Sequence, residues 1–598
     1  MKKESPRVGA VIVNWNTREY LLRALHSFVN DDVPESNIVV ADQGSTDGSM
    51  AAVRRRYPRV KIVSRPSNDS YASAVNAGAA RLAVDYLVVV NADIEFGNGS
   101  LKSLSEILER DETVAIVGPA LVDANDAPAT RFSRTGALRA VGLVLFPSFI
   151  RGSWRRIERS VYGTERPETV RFVGGCFMFV RRTAFDEIGG FDETFTFYFE
   201  DADFCLRLRK LGYKLVHSPY ATVTHIGGAS FGREPDKSSI EFYRGCLLFY
   251  RLHLYRRYVW LKRGLRVAVF FRELLEHIRF GKAGRWRALR ALIDSENETH
   301  AFSPCSSRPF VSVILPTFER VDCLIGALKG LLRQSYRNFE IIVVDQSKTK
   351  DARKERFYRQ AGKRLVVVRP ARANRSFAKN LGAQRAKGEI LLFCDDDIEV
   401  PEDLIQTHVA AYGDRRIGGV SCRVVEGHSY DIKTSHILRV TPYGRMIAGF
   451  QSDVTSAVKT LVGANMSTFR SVWQDVGGFD TTFVGTSVFE EPDFSARVRR
   501  AGWRLVFTNA TTVRHDPQPE GNDDLKCRTP SDYYRSFHHN ELIYFLKNHS
   551  RLNLLLVIPF CLLRTVNQTV KFRMGFRQSL RVFGGVFEGF RKYYQIYG

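Results

Sequence analysis

The sequence lacks the features that would mark a secreted, zinc-knuckle or membrane-spanning protein. Its nine cysteines (Cys176, Cys205, Cys246, Cys305, Cys323, Cys394, Cys422, Cys527 and Cys561) are scattered, odd in number and form no CxxC pair. A disulfide framework is therefore not expected, and a reducing compartment fits better. The opening MKKESPRVGAVIVNWN has a basic pair but no apolar stretch ahead of a cleavage site, so no signal peptide is expected. The longest apolar run, LNLLLVIPFCLL from Leu552 to Leu563, contains Asn553 and Pro559. A bilayer span needs about 20 apolar residues, so no transmembrane helix is expected. Acid is also in deficit: 64 Asp and Glu stand against 88 Lys and Arg, a net charge of +24. Such an excess points to acidic partners, whether nucleic acid, an anionic membrane face or phosphorylated substrates.

With 598 residues, 44% of them hydrophobic and 25% charged, the chain is a folded protein too long for one core. An internal repeat divides it. VGAVIVNWNTREYLLRALHSF from Val8 matches VSVILPTFERVDCLIGALKGL from Val311. IVVADQGSTDGS matches IIVVDQSKTK, and YLVVVNADIEF matches ILLFCDDDIEV. GGCFMFVRRTAFDEIGGFDETF matches GANMSTFRSVWQDVGGFDTTF, and FEDADFCLRLRKLGYKLVHSPYATVTH matches FEEPDFSARVRRAGWRLVFTNATTVRH. The five blocks keep their order, with Asp93 and Asp397 304 residues apart and His225 and His515 290 apart. The repeat is domain-sized, which excludes a short-period solenoid.

Each copy alternates short β-branched runs with leucine-patterned helices, the mark of a doubly wound α/β sheet with its ligands beyond the carboxyl ends of the strands. Two strands of each copy end on acid: Asp42 and Asn91-Ala92-Asp93 in the first, Asp345 and Asp395-Asp396-Asp397 in the second. One carboxylate at a strand end ordinarily anchors a loop, but a triple is more than capping requires. Facing carboxylates are costly to desolvate and suit a hard divalent ion, Mg²⁺ or Mn²⁺, bridging diphosphate oxygens. A third element, Glu200-Asp201-Ala202-Asp203 and Glu490-Glu491-Pro492-Asp493, opens an amphipathic helix. The helix dipole accounts for one or two of these acids; a general base aimed into a cleft accounts for the rest. His225 and His515 follow matched strands and read as metal ligands or phosphate contacts.

Both copies resemble family-2 glycosyltransferases of the GT-A fold, over about residues 8–228 and 311–517. The first copy is similar to bacterial rhamnosyltransferases of O-antigen and cell-wall assembly, through VIVNWN, ADQGSTDGS, NADIEF in place of a DxD motif, GGFDETF and FEDADFCLRLRKLGY. The second is similar to the broader family, through VSVILPTFERVDCL, ANRSFAKNLGAQRAKGEILLFCDDDIEV and GGFD. The resemblance implies that Asp42 and Asp345 bind the nucleobase or ribose, and that Asn91, Asp93, Asp395 and Asp397 lie at the donor diphosphate and metal. It implies His225 and His515 in the metal shell and Asp201 and Glu491 as catalytic bases, with Glu200, Asp203, Glu490 and Asp493 as supporting acids. It also implies inversion by direct displacement from a nucleotide-sugar donor. Two positions depart from the pattern. Asn91 leaves Asp93 as the single carboxylate at its strand end, and Glu491 stands where Asp is usual.

The positive charge is concentrated after each copy. Arg244 to Arg290 holds 13 Lys or Arg against Glu273 and Glu276, and Arg535 to Gly598 holds ten against Glu541 and Glu588. Basic, aromatic-rich helices suit an anionic bilayer surface, and no nucleic-acid motif is present. The organisation expected is a GT-A domain over 1–234, a basic helical linker over 235–305, a second GT-A domain over 306–530 and a basic helical region over 531–598. The protein is expected at the inner face of the plasma membrane, acting on a lipid-linked or oligosaccharide acceptor in bacterial surface-polysaccharide synthesis. Three other readings stay open: an alternating two-site polymerase, one active domain beside a degenerate carbohydrate-binding scaffold, and a nucleotidyltransferase.

Overall fold

A computed structural model describes residues 6–125, 166–226, 235–280, 284–295, 308–426 without 415, 439–515 without 443, 445, 448, 449 and 486, 529–549 and 551–597. Residues 126–165 and 427–438, within the stretches 123–170 and 424–460 whose loops are expected to shape the donor and acceptor pockets, lie outside the described residues. The chain divides into two compact units, Met1–Asn297 and Glu298–Gly598.

The first unit is built on strands β1 (Val8–Asn14), β2 (Ile38–Asp42), β3 (Lys61–Ser64), β4 (Tyr86–Asn91), β5 (Ile94–Phe96), β6 (Val114–Val122), β7 (Glu168–Val170), β8 (Phe177–Arg181) and β9 (Lys214–His225). They form one mixed sheet in the order β3-β2-β1-β4-β8-β6-β9-β5, with β7 paired to β9. The apolar runs are continuous because both faces of the sheet are covered. Along β1, Ala10 and Ile12 enter one hydrophobic layer while Val11 and Val13 enter the other.

The second unit repeats this arrangement strand for strand. Its strands are β10 (Val311–Thr317), β11 (Phe339–Asp345), β12 (Leu365–Val368), β13 (Ile390–Cys394), β14 (Ile398–Glu399), β15 (Ile417–Glu426), β16 (Arg439–Val440), β17 (Met446–Ile447), β18 (Ser456–Ala457), β19 (Asn465–Phe469) and β20 (Arg504–His515). The order is β12-β11-β10-β13-β19-β15-β20-β14, with β18 on β20; β16 and β17 pair separately. The shared register fixes the acidic strand ends. Asn14 pairs with Asp42 and Val13 with Asn91, and Thr317 pairs with Asp345. His225 lies opposite Ile94 and His515 opposite Ile398, so each imidazole arrives beside the carboxylate that precedes its partner.

The basic stretches differ from the expected surface helices. The first helix after each sheet, Pro235–His253 and Pro530–Asn548, is a packing helix. In the first unit it brings Tyr243, Cys246, Leu247 and Tyr250 against Phe195 and Phe199. In the second it brings Leu542 to Leu546 against Phe483 and Phe489. Apolar residues fall on every side of these helices, and such a helix is stable only when enclosed. From Leu554 on, the apolar run Leu552–Leu563 lies in a longer helix than its sequence pattern implied, Leu554–Lys571, which by length and composition could cross a membrane.

Each packing helix completes a buried ion cluster. Asp203 is held by Arg207 at 2.6 Å and by His253 at 2.8 Å. Asp493 is held by Arg497 at 3.0 Å, by Lys547 at 2.9 Å and by the Asn548 amide at 2.8 Å. Against the burial that would raise it, Arg207 and His253 hold Asp203 down to about 2. Asp493→Ala would leave the buried Arg497 without its anion, while Lys547 keeps Asp480, at a cost of about 3–5 kcal/mol. The expected outcome is a second-unit melting transition several degrees lower, read by differential scanning calorimetry.

Candidate active site

In both units a loop step joins the acidic strand end to the acidic helix. In the first, the backbone N–H of Asn91 donates to the Cys176 carbonyl at 3.2 Å, and the N–H of Gly175 donates to Asp201 Oδ2 at 2.8 Å. In the second, the N–H of Asp395 donates to the Ala464 carbonyl at 3.1 Å, and Gly463 lies against Glu491. A Cβ on Gly175 would sit 3.3 Å from the Asp201 carboxylate, and one on Gly463 would overlap that of Glu491. The absence of a side chain at this step lets each carboxylate approach the backbone.

The acidic helix opens on strained backbone in both units. Phe199 and Phe489, immediately before Glu200 and Glu490, adopt φ of 69° and 80°. A non-glycine residue in this region costs about 1–3 kcal/mol. Burial offsets the strain: the Phe199 ring packs on Phe242 and Phe249, and the Phe489 ring on Phe537 and Tyr544. The packing helix therefore holds the helix that carries Asp201 or Glu491.

The metal-type residues gather as their register implies. His225 Nε2 lies 3.4 Å from Asp93 Oδ1. In the second unit, ligand atoms of Asp395, Asp397 and His515 all lie within 4.8 Å of one another. Oxygen and imidazole donors of this kind suit Mg²⁺ or Mn²⁺, and in the first unit Asn91 takes the place of Asp395.

The two sites differ in charge. In the second, Arg320 binds Asp396 at 3.1 Å and Asp397 at 2.7 Å. Arg375 binds Asp395. Lys379, fully buried, binds Glu490 at 2.5 Å and Glu491 at 3.4 Å. A continuous line of opposite charges thus connects the strand-end triple with the helix acids. In the first unit Tyr71 replaces Arg375 and Val75 replaces Lys379, so among the described residues no cation stands at these positions. The Tyr71 hydroxyl donates to the Gly175 carbonyl at 2.8 Å; burial, followed by the Glu200 carboxylate, pushes its titration up. Burial pushes Asp201 up to about 6. Burial and the adjacent Asp201 push Glu200 well above the carboxylate range, and Glu200 Oε2 has no hydrogen-bond partner among the described residues. Burial also raises Glu491, with Lys379 opposing it.

The remaining acids are placed differently. Asp42 is buried, with Oδ1 accepting from Asn14 at 2.9 Å and Ser45 at 2.5 Å. Asp345 is bound by Lys354 at 2.8 Å and Tyr358 at 3.2 Å. Asp203 and Asp493 point into their ion clusters rather than join Asp201 and Glu491. Sequence reasoning passed over Arg320, Arg375, Lys379, Tyr71 and the Gly175 and Gly463 steps. Aligning SYASAVNAG with NRSFAKNLG within the repeat exposes the tyrosine–arginine and valine–lysine exchanges.

Two tandem GT-A domains, each with acids and an imidazole at the carboxyl ends of its strands, define a glycosyltransferase architecture. The chain belongs to glycosyl transferase family 2, whose model matches residues 10–189 and 312–475. A second model, glycosyl transferase family group 2, matches residues 108–280. The N-acetylglucosaminyl-diphospho-decaprenol L-rhamnosyltransferase of Mycobacterium tuberculosis is 31% identical over 254 residues, 40% of this chain and 82% of that protein. The uncharacterized protein y4gI of Sinorhizobium fredii is 23% identical over 558 residues, 87% of this chain, which spans about half (54%) of that longer protein. Myxococcus xanthus RfbC, an O-antigen biosynthesis protein, is 25% identical over 39% of this chain and 19% of its own length. Among solved structures, the Pyrobaculum calidifontis mannosyltransferase PcManGT with GDP-Man and Mn²⁺ matches at a TM-score of 0.30 and 17% identity, covering 56% of this chain and 87% of that one. Staphylococcus aureus TarS 1–349 with UDP matches at 0.34 and 14%, covering 47% and 80%.

Gly463→Ala displaces the Glu491 carboxylate while leaving the buried Glu490–Lys379 pair. The expected result is a fall of about 10²-fold in glycosyl transfer, with the far-ultraviolet circular dichroism unchanged.

Proposed function

We propose that the chain is a bifunctional inverting transferase in which each unit moves one sugar from a nucleotide donor to an acceptor hydroxyl. The observation that carries this reading is the doubled constellation: in each unit one helix-borne carboxylate, Asp201 or Glu491, is joined through a glycine step to a strand end bearing acid and imidazole. Asp201 and Glu491 accept the proton of the acceptor hydroxyl as it attacks the anomeric carbon. Asp93 with His225, and Asp395 and Asp397 with His515, would hold a divalent ion, which supplies charge stabilisation to the departing nucleoside diphosphate. Asp42 takes the nucleoside of the first donor. Asp345, already neutralised by Lys354, takes the second only as a neutral hydrogen-bonding unit.

The first unit uses dTDP-rhamnose, a reading supported by its likeness to the mycobacterial rhamnosyltransferase, whose named acceptor is a lipid-linked diphosphate. An acceptor of that class places the protein at the cytoplasmic face of the membrane, attached peripherally through basic helices, in surface-polysaccharide synthesis. The alternating polymerase, separated by product length, shares the same sites. A scaffold role for the first unit is less well supported, because Asp201 keeps the same backbone anchorage that a base requires.

Asp201→Asn and Glu491→Gln should each abolish a different transfer, by about 10²–10⁴-fold, in a donor screen read by product mass. A single affected transfer would reject bifunctionality. The first activity should rise with pH and reach half its plateau near 6, where Asp201 loses its proton. Because the folded protein holds that proton more tightly than the unfolded chain, the stability it brings is present at low pH and gone once the pH has risen through about 6. Asp201→Asn should therefore melt no lower than the parent at pH 7 while remaining inactive.

A further inference from the structure

The helix Leu554–Lys571 is amphipathic with its usual order reversed. Val557, Cys561 and Thr565, spaced by four, are buried against the unit. On its outer side Leu555, Leu556, Leu562, Leu563, Val566 and Val570 are 50–74% exposed. A surface helix in water normally turns its polar residues outward. The next helix, Phe576–Tyr597, continues the pattern: Val582, Gly585, Val586 and Gly589 face inward, while Phe576 is 83%, Leu580 61% and Phe587 65% exposed. An apolar face of this extent marks a surface built for contact.

Neither helix can roll to hide these side chains. Arg564 donates to the buried Glu541 carboxylate at 2.8 Å and Cys561 to the same oxygen at 3.0 Å, so rotation would break a buried ion pair. Gly585 and Gly589 lie against the backbone of Arg535 and His539, where a Cβ would collide. The outward face is fixed by the packing beneath it.

The charge around the face is of one sign. Residues 551–598 contain eight Lys and Arg and one acid, Glu588, which Arg535 neutralises at 2.9 and 3.0 Å. Lys571, Arg573, Arg577 and Arg591 are exposed beside the leucines. A second copy docked face to face would bring these cations together, and nucleic acid would leave the leucines in water. Apolar side chains framed by exposed cations fit the headgroup–acyl boundary of an anionic bilayer. The first unit carries the same device separately. On the helix Tyr255–Phe280, Trp260, Val267, Phe270 and Phe271 are 49–72% exposed, and the Arg263 guanidinium lies 5.9 Å from the Trp260 ring.

We infer that the outer face of the helices Leu554–Lys571 and Phe576–Tyr597 inserts into the interfacial zone of an anionic phospholipid bilayer, with Lys571, Arg573, Arg577 and Arg591 on its phosphates. This gives the peripheral attachment proposed above a particular surface, and it is independent of the transfer chemistry. The helices lie along the membrane rather than across it, because one side of the Leu554–Lys571 helix is committed to Glu541.

The test is flotation of the full-length protein with phosphatidylcholine vesicles with or without phosphatidylglycerol, at low and high salt. One variant combines Leu555→Ser, Leu563→Ser, Val566→Ser and Phe576→Ser; another combines Lys571→Gln, Arg573→Gln and Arg577→Gln. The parent should float with anionic vesicles at low salt. Each variant should lose at least about tenfold in partitioning while keeping the parent's melting temperature and its transfer to a soluble acceptor. Only the charge variant should lose the salt dependence. A parent that ignores anionic vesicles, or a serine variant that binds like the parent, overturns the inference. So does a parent dimer that the serine variant converts to monomer, which would assign the face to self-association. Loss of transfer in the Asp201 and Glu491 variants with flotation intact would leave the inference standing, so the two readings fail separately.

Discussion

Holding several carboxylates close together in a dry place is the constraint from which the rest of this structure follows. Ionised acids that share a cleft repel one another and lose their hydration, so each must be anchored by something else in the fold. Backbone N–H groups anchor Asp201, and an imidazole accompanies Asp93 and Asp397. The strained phenylalanine before each acidic helix, and the packing helix that buries it, serve the same end. They fix the position of a carboxylate that would otherwise move towards water.

The two units meet this constraint by different chemistry on one topology. The second supplies cations: Arg320, Arg375 and Lys379 are interleaved with Asp395, Asp396, Asp397, Glu490 and Glu491, so much of the negative charge is balanced inside the protein. The first supplies none at the equivalent positions. It lowers the number of acids through Asn91, and burial raises the titration of the two helix acids, Glu200 well above the carboxylate range and Asp201 to about 6. One site is balanced by salt bridges, while in the other burial favours the protonated form of the helix acids as the pH falls. The first is consequently the more sensitive to acidity, and the second the more sensitive to loss of a single arginine or lysine.

Much of this was legible in the sequence. The repeat, the α/β class and the acid-ending strands followed from short β-branched runs terminated by Asp42, Asp93, Asp345 and Asp397. His225 and His515 were read as metal ligands or phosphate contacts from their matched positions, and the sheet register sets them beside Asp93 and Asp397. What could not be read was long-range. Asp203 and Asp493 looked like members of the acidic trio, yet their partners His253 and Lys547 lie on a helix about 50 residues further on. The helices Pro235–His253 and Pro530–Asn548 looked like basic surface elements, because composition does not report which neighbour will enclose a helix. The cations of the second site were visible as residues but not as neighbours, since nothing local in ANRSFAKNLG points to Glu490.

The packing helix also defines the heritable module. A recombination joint placed between β9 and Pro235–His253, or between β20 and Pro530–Asn548, would separate the acidic helix from the element that buries Phe199 or Phe489 and completes the Asp203 or Asp493 cluster. A chimera assembled from sheets alone would expose those rings to solvent and leave a charge without its counterion. New combinations of units can therefore arise most readily by exchanging whole cassettes, each carried with its trailing helix.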